Sequence, residues 1–177
     1  MNEFRRKVAG AVSFAFVLSG VLLYGTSAAW AQQKASPAQK QIVGVWKLVS
    51  STNTGADGSA RPGSFGPNPK GMVIYTSSGH FTSVNTNPDI PKFASSNRSE
   101  GTAEENKAVV RGSNASFGTY SVSADGKVLT QKIEGGTWAH WVGTEQKRDL
   151  TLSGDDMKYT LASSRGGKSV LAYKRVK

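Results

Sequence analysis

The stretch Glu134–Leu152, EGGTWAHWVGTEQKRDLTL, decides how the chain is read. Its second half alternates. Arg148, Leu150 and Leu152 fall on one face, and Lys147, Asp149 and Thr151 on the other. A period of two is the signature of a half-buried strand, so Arg148 points where the leucines point. An arginine on an apolar face is costly unless something pairs with it. The first half holds Trp138 and Trp141, two of the four tryptophans, and His140, one of two histidines. The stretch therefore marks both a β-protein and the place to look for a ligand, and a small all-β barrel with a pocket is expected.

Similar alternation and turn chemistry run outward from it. Gly44–Val49 alternates, with Trp46 and Leu48 on one face. Residues 71–76 and 80–86 form strands about the turn Ser77-Ser78-Gly79. Residues 115–122 and 127–134 flank Ala124-Asp125-Gly126, 146–152 and 157–162 flank Ser153–Asp156, and 169–176 follows the turn Arg165-Gly166-Gly167. Two long Gly/Ser/Asn/Pro-rich loops, 51–70 and 87–101, interrupt the series. After the second, Thr102 with Glu105 three residues on forms a capping box, and a short helix is predicted to about Arg111, ended by Gly112. Eight or nine short strands with one helix predict an antiparallel sandwich or barrel. A parallel α/β fold would need helices between the strands.

The N-terminal segment has its own logic. Arg5, Arg6 and Lys7 precede an apolar run from Val8 to Tyr24, and Ala29-Trp30-Ala31 fits a small-x-small cleavage site. Residues 1–31 are read as a secretory signal, with an uncleaved membrane anchor as the alternative. Residues 32–41 read as a polar tether and 42–177 as one domain, long enough to bury a core unaided. The chain has no cysteine, so a lipid-modified N-terminus is not expected and the exported domain relies on packing alone. A periplasmic or secreted location follows. Losing residues 1–31 takes the formal charge from +10 to +8. The basic residues are scattered. Export argues against nucleic acid, whereas weak association with an anionic membrane surface, or acidic small molecules, suits the charge.

Several motifs carry a resemblance. Gly44-x-Trp46 on the first strand with Arg175 on the last looks like the lipocalin superfamily, in which such a tryptophan packs under such an arginine and closes one barrel end. More of the chain resembles the bacterial and fungal lipocalin-like domain family: GVWKLVS (44–50), FGPNPKGMVIYTSSGHF (65–81), GTAEE (101–105), FGTYSV (117–122) and WVGTEQKR (141–148). That resemblance implies a calycin-type antiparallel β-barrel and little about activity. Family members often carry a proline and a further apolar residue before the tryptophan of WVGT, where this chain has Ala139-His140. Trp46 and Arg175 are expected to be structural, joined by cation–π stacking.

An eight-stranded barrel is just wide enough to be filled by side chains or to hold one small ligand. The candidate site is the barrel mouth, lined by Tyr75, Phe81, Tyr120, Trp138, Trp141 and Arg148. Arg148 has few acids near it in sequence. Asp149 faces outward, and Glu134 and Glu145 sit at strand ends. Either one of these bends in, or water solvates the guanidinium, or a ligand supplies the negative group, for which its planar fork is suited. The ligand expected is small, hydrophobic or amphiphilic, and acidic-headed in the last case.

Two rival functions stand beside binding. An isomerase or cyclase would use His80 or His140 for proton transfer, with Glu134 orienting the second. A secreted interaction protein would use the basic outer face. No metal-ligand spacing, nucleophile elbow or paired-carboxylate motif is present, and neither cofactor nor metal is expected.

Overall fold

The computed structural model describes residues 37–163 and 166–177. The segment 1–31 read as a signal, residues 32–36 of the tether and Arg165 of the last turn lie outside the described residues. In chain order the elements are α1 (Pro37–Ile42), β1 (Gly44–Thr54), β2 (Ala60–Pro62), β3 (Lys70–Tyr75), β4 (His80–Thr86), α2 (Ala103–Gly112), β5 (Ser113–Val122), β6 (Val128–Gly136), β7 (Glu145–Ser153), β8 (Asp156–Ala162) and β9 (Lys168–Arg175). Short 3₁₀ turns occupy Arg98–Glu100 and Ala139–Trp141.

The strands follow the order β2-β1-β3-β4-β5-β6-β7-β8-β9, and β1 pairs again with β9. All the pairings are antiparallel. The second pairing of β1 closes β1 and β3–β9 into an eight-stranded barrel, with β2 as an extra strand beside the far half of β1. Closure removes the exposed sheet edges that a sandwich would leave. A register shift between Leu48 and Ser50 places the extra residue, Val49, on the outside. It lets Trp46 and Leu48 before it, and Ser51 after it, all face inward.

Strand direction defines two ends. At one lie α1, the β3–β4 turn, the β5–β6 turn and the β7–β8 turn. At the other lie the long β1–β3 connection, the α2 loop, the Ala139–Trp141 turn and the β8–β9 turn. The first end is closed. The tether reading misses α1 here: Pro37 starts the helix, where its missing N–H costs nothing, and Ala38, Gln39 and Lys40 continue it. What holds so short a helix is tertiary. Ile42 is fully buried, and its carbonyl accepts from Trp46 Nε1 at 2.7 Å.

The expected pairing of Trp46 with Arg175 is present at this end. The Arg175 guanidinium carbon lies 4.1 Å from the Trp46 ring centroid. Its Nη1 donates to Val43 O and its Nη2 to Gln41 O, so the arginine stitches the end of α1 to β9. This geometry explains the glycine of the motif. A Cβ on Gly44 would sit 2.7 Å from Arg175 Nη1. At the opposite end the capping box of α2 forms as expected, Glu105 N donating to Thr102 Oγ1 and Thr102 N to Glu105 Oε2.

Candidate functional site

The barrel interior has two halves of different chemistry. Toward the closed end it is aromatic and aliphatic, with Trp46, Tyr75, Leu129, Met157 and Tyr173 fully buried. Tyr75 lies edge-on to Tyr120, ring centroids 4.8 Å apart, and 6.2 Å from Phe81. Toward the mouth the inward positions turn polar. Ser51, Ser83, Asn85, Ser116, Gln131 and Arg148 are all buried there or at mid-depth.

Buried hydroxyls and amides need partners, and most of these have them. Gln131 Nε2 donates to the Tyr75 hydroxyl at 2.9 Å. The Tyr159 and Tyr173 hydroxyls share a hydrogen bond of 2.9 Å, Tyr173 reaches Asn85 Oδ1 at 3.4 Å, and Asn85 Nδ2 donates to Ser83 Oγ. Burial pushes the Tyr75 hydroxyl well above its ordinary pKa, the nearby Arg148 charge offsetting part of that rise. Burial also pushes Tyr173 well up, with Tyr159 adding to it, and holds Tyr120 at about 12.

Arg148 is the exception. The alternation that sends it inward is obeyed, and it is 4% exposed. Its Nη1 donates to Gln146 O at 3.0 Å, toward the mouth. Its guanidinium carbon lies 5.4 Å from the Tyr159 ring centroid and 6.0 Å from that of Trp141. Its Nε is buried with no hydrogen-bond partner. Among the described residues the ion pairs are Arg61–Asp57, Lys107–Glu104, Lys174–Asp156 and Asp155 with Arg175 and Lys177, and none of them reaches Arg148. Asp149, next to it in sequence, and the strand-end acids Glu134 and Glu145 are all exposed. A guanidinium keeps its proton, so this is a buried positive charge whose Nε donor is unused. Such a centre can hold an anionic oxygen against two aromatic faces.

The six expected site residues divide. Trp141 and Arg148 come together at the mouth side. A chain of hydrogen bonds fixes Trp141 there: Gln146 Nε2 donates to Thr144 Oγ1, which donates to Trp141 O. Tyr75, Phe81 and Tyr120 form instead the floor near the closed end, because they flank the β3–β4 turn. The Tyr120 hydroxyl donates to Thr76 O in that turn. Trp138 is 44% exposed on the outside of the mouth and belongs to no buried cluster. The 3₁₀ turn that starts after it carries Trp141 inward and leaves Trp138 out.

His80 and His140 stand at opposite ends. His80 opens β4 beside the closed end, exposed, with Nδ1 3.2 Å from Ser78 Oγ. His140 is exposed at the mouth. Among the described residues no three His, Asp or Glu side chains gather as a metal site. Sequence reasoning did not single out Gln131, Asn85 or Ser83. A signal was there. Gln131 is in phase with Leu129 and Ile133, and Ser83 and Asn85 with Phe81, as Arg148 is with Leu150. Two surface depressions lie away from this centre. One is a cleft of about 60 Å³ between Asn53, Arg61 and Ser163, and the other is open, against Gly126–Val128 and Asp149–Leu152.

A family model described as lipocalin-like domain matches residues 43–175. No curated protein matches. Among solved structures, a lipocalin-like protein from Bacteroides uniformis is similar at 14% identity, covering 77% of this chain and 99% of its own, with a TM-score of 0.42. A redesigned β-barrel is similar at 16% identity, covering 80% and 97%, TM-score 0.42. A protein described as a fatty acid transporter is similar at 13% identity, covering 78% and 98%, TM-score 0.37.

Proposed function

We propose, from the premise that this chain belongs to the lipocalin-like domain family, that it binds a small, partly apolar molecule with an acidic head. The head sits on Arg148 and the body against Trp141, on the mouth side of the barrel. One observation carries the reading: Arg148 is buried, its Nε lacks a partner, and none of the ion pairs among the described residues includes it. Removing an arginine's solvation without a counter-charge costs several kcal/mol. A carboxylate or similar anion returns that energy through charge-assisted hydrogen bonds, two of them in parallel where the planar fork is free. The aromatic faces of Trp141 and Tyr159 then exclude water from the pair.

The protein would do this outside the cytoplasm, since residues 1–31 read as a cleaved export signal. The intact mass of protein recovered from the periplasm or medium tests that part. A mass starting near Gln32 supports it, and one that includes residues 1–31 rejects cleavage. The binding reading is tested by titrating dinitrobenzoate, a tryptophan quencher, into wild type and Arg148→Met, both checked for folding by circular dichroism. Saturable quenching that weakens at least tenfold in the variant supports the head-group role. Equal affinities refute it.

A further inference from the structure

We propose that the site takes compact monocarboxylic acids, short-chain or single-ring aromatic, and cannot bury the tail of a long-chain fatty acid. The inference rests on the reading that Arg148 holds an acidic head, and adds where the rest of the ligand can go. Below Arg148 the barrel is solid. Trp46, Tyr75, Met157 and Tyr173 are fully buried against one another, and Ile42 of α1 stoppers the end. A tail passing that way would have to displace packed aromatic rings whose hydroxyls are already hydrogen-bonded to Gln131, Tyr159 and Asn85. Close-packed interiors do not yield such space cheaply.

Above Arg148 the β7 wall is short, while the β6 wall runs on from Leu129, its register partner, to Gly136. Arg148 is the third residue after Glu145, which begins β7 at the mouth. At a rise of about 3.3 Å per residue and a strand tilt of about 40°, its Cα lies roughly 8 Å below the start of β7. The side chain turns upward from there, toward Gln146 O and Trp141. The walls of this upper half also discriminate. On one side is the ring of Trp141, with that of Tyr159 at its foot, and elsewhere the small polar Ser83, Asn85 and Ser116. A flat ring finds aromatic faces to stack on, whereas a flexible chain meets hydroxyls and amides along much of its length. Methylenes beyond the rim stay in water and add nothing.

The experiment is calorimetric titration of the purified protein with straight-chain monocarboxylates from butanoate to hexadecanoate, each below its micelle concentration, and with benzoate and indole acetate. The same series is run on Arg148→Met and on Arg148→Lys, which keeps a charge without the fork. Affinity should rise about fourfold per methylene at first, the gain for burying one CH₂. It should level off between hexanoate and decanoate, with hexadecanoate no tighter than decanoate and indole acetate tighter than butanoate. Affinity that climbs steadily to hexadecanoate and is lost in Arg148→Met would leave the head-group site standing and overturn the size limit. Carboxylates that fail to bind the wild type, or bind it and both variants alike, would overturn the head-group reading itself and this inference with it.

Discussion

Replacing Arg148 by methionine should stabilise the ligand-free protein. The losses can be worked from its contacts. Its Nη1 hydrogen bond to Gln146 O is worth about 1 kcal/mol net. The contacts with Tyr159 and Trp141, at 5.4 and 6.0 Å, are worth about 0.5–1 kcal/mol each as cation–π pairs. Together the substitution gives up about 2–3 kcal/mol. Against that stands a guanidinium that is 4% exposed, with Nε unpartnered and none of the described ion pairs reaching it. Its desolvation costs several kcal/mol that no ion pair offsets. Methionine is unbranched and flexible enough to fill the same channel. The net expectation is a gain of about 1–3 kcal/mol, or roughly 3–9 °C in Tm for a domain of this size. Urea unfolding of both proteins without ligand, followed by circular dichroism, measures it. A variant that is less stable by more than about 1 kcal/mol would refute the reasoning. Arg148 would then be a structural partner held by the fold, and the argument that it waits for an anion would fall with it. Stabilisation accompanied by loss of binding is the pattern expected of a residue retained for function at a cost in stability.

Other outcomes follow from the same structure. Trp46→Ala should lose about 3–5 kcal/mol, the range for deleting a buried large aromatic, because it also removes the platform under Arg175 and the anchor of α1; an unchanged melting curve would reject the closed-end assignment. The stability contributed by the buried tyrosines should be full below pH 10 and fall as pH rises toward 12. The unfolded chain loses its tyrosine protons near pH 10, while Tyr75 and Tyr173 keep theirs well above that and Tyr120 to about 12. Urea midpoints across that range check this, and phenolate absorbance from Tyr75 and Tyr173 should appear only with unfolding. Thr102→Ala should cost about 1 kcal/mol by opening the capping box of α2, read as a drop in denaturation midpoint with little effect on ligand affinity, since the box stands outside the barrel.

Much of the architecture was legible in the residues because a strand writes its environment into every second position. Alternation placed eight strands and sent Arg148, Leu150 and Leu152 inward, and the structure buries Arg148 and Leu150 and half-buries Leu152. Turn glycines marked the hairpins, and Thr102 with Glu105 marked the start of α2, since both signals depend on neighbours within a few residues. What could not be read locally is what depends on closure. Barrel and sandwich share the same alternation, and only the pairing of β1 with β9 distinguishes them. The helix α1 looked like tether because it is too short to hold itself; its stability comes from Trp46 and Arg175, 4 and 134 residues away in their contacts with Ile42 and Gln41. The same limit applies to the site. Periodicity says which face a side chain takes but not how far along the barrel it lies. Tyr75, Phe81 and Tyr120 therefore read as mouth residues and stand at the floor, while Trp138 and Trp141, three residues apart, are parted by a 3₁₀ turn. Depth is set by register across strands distant in sequence, and it was register that put an unpaired charge at mid-barrel beneath Trp141.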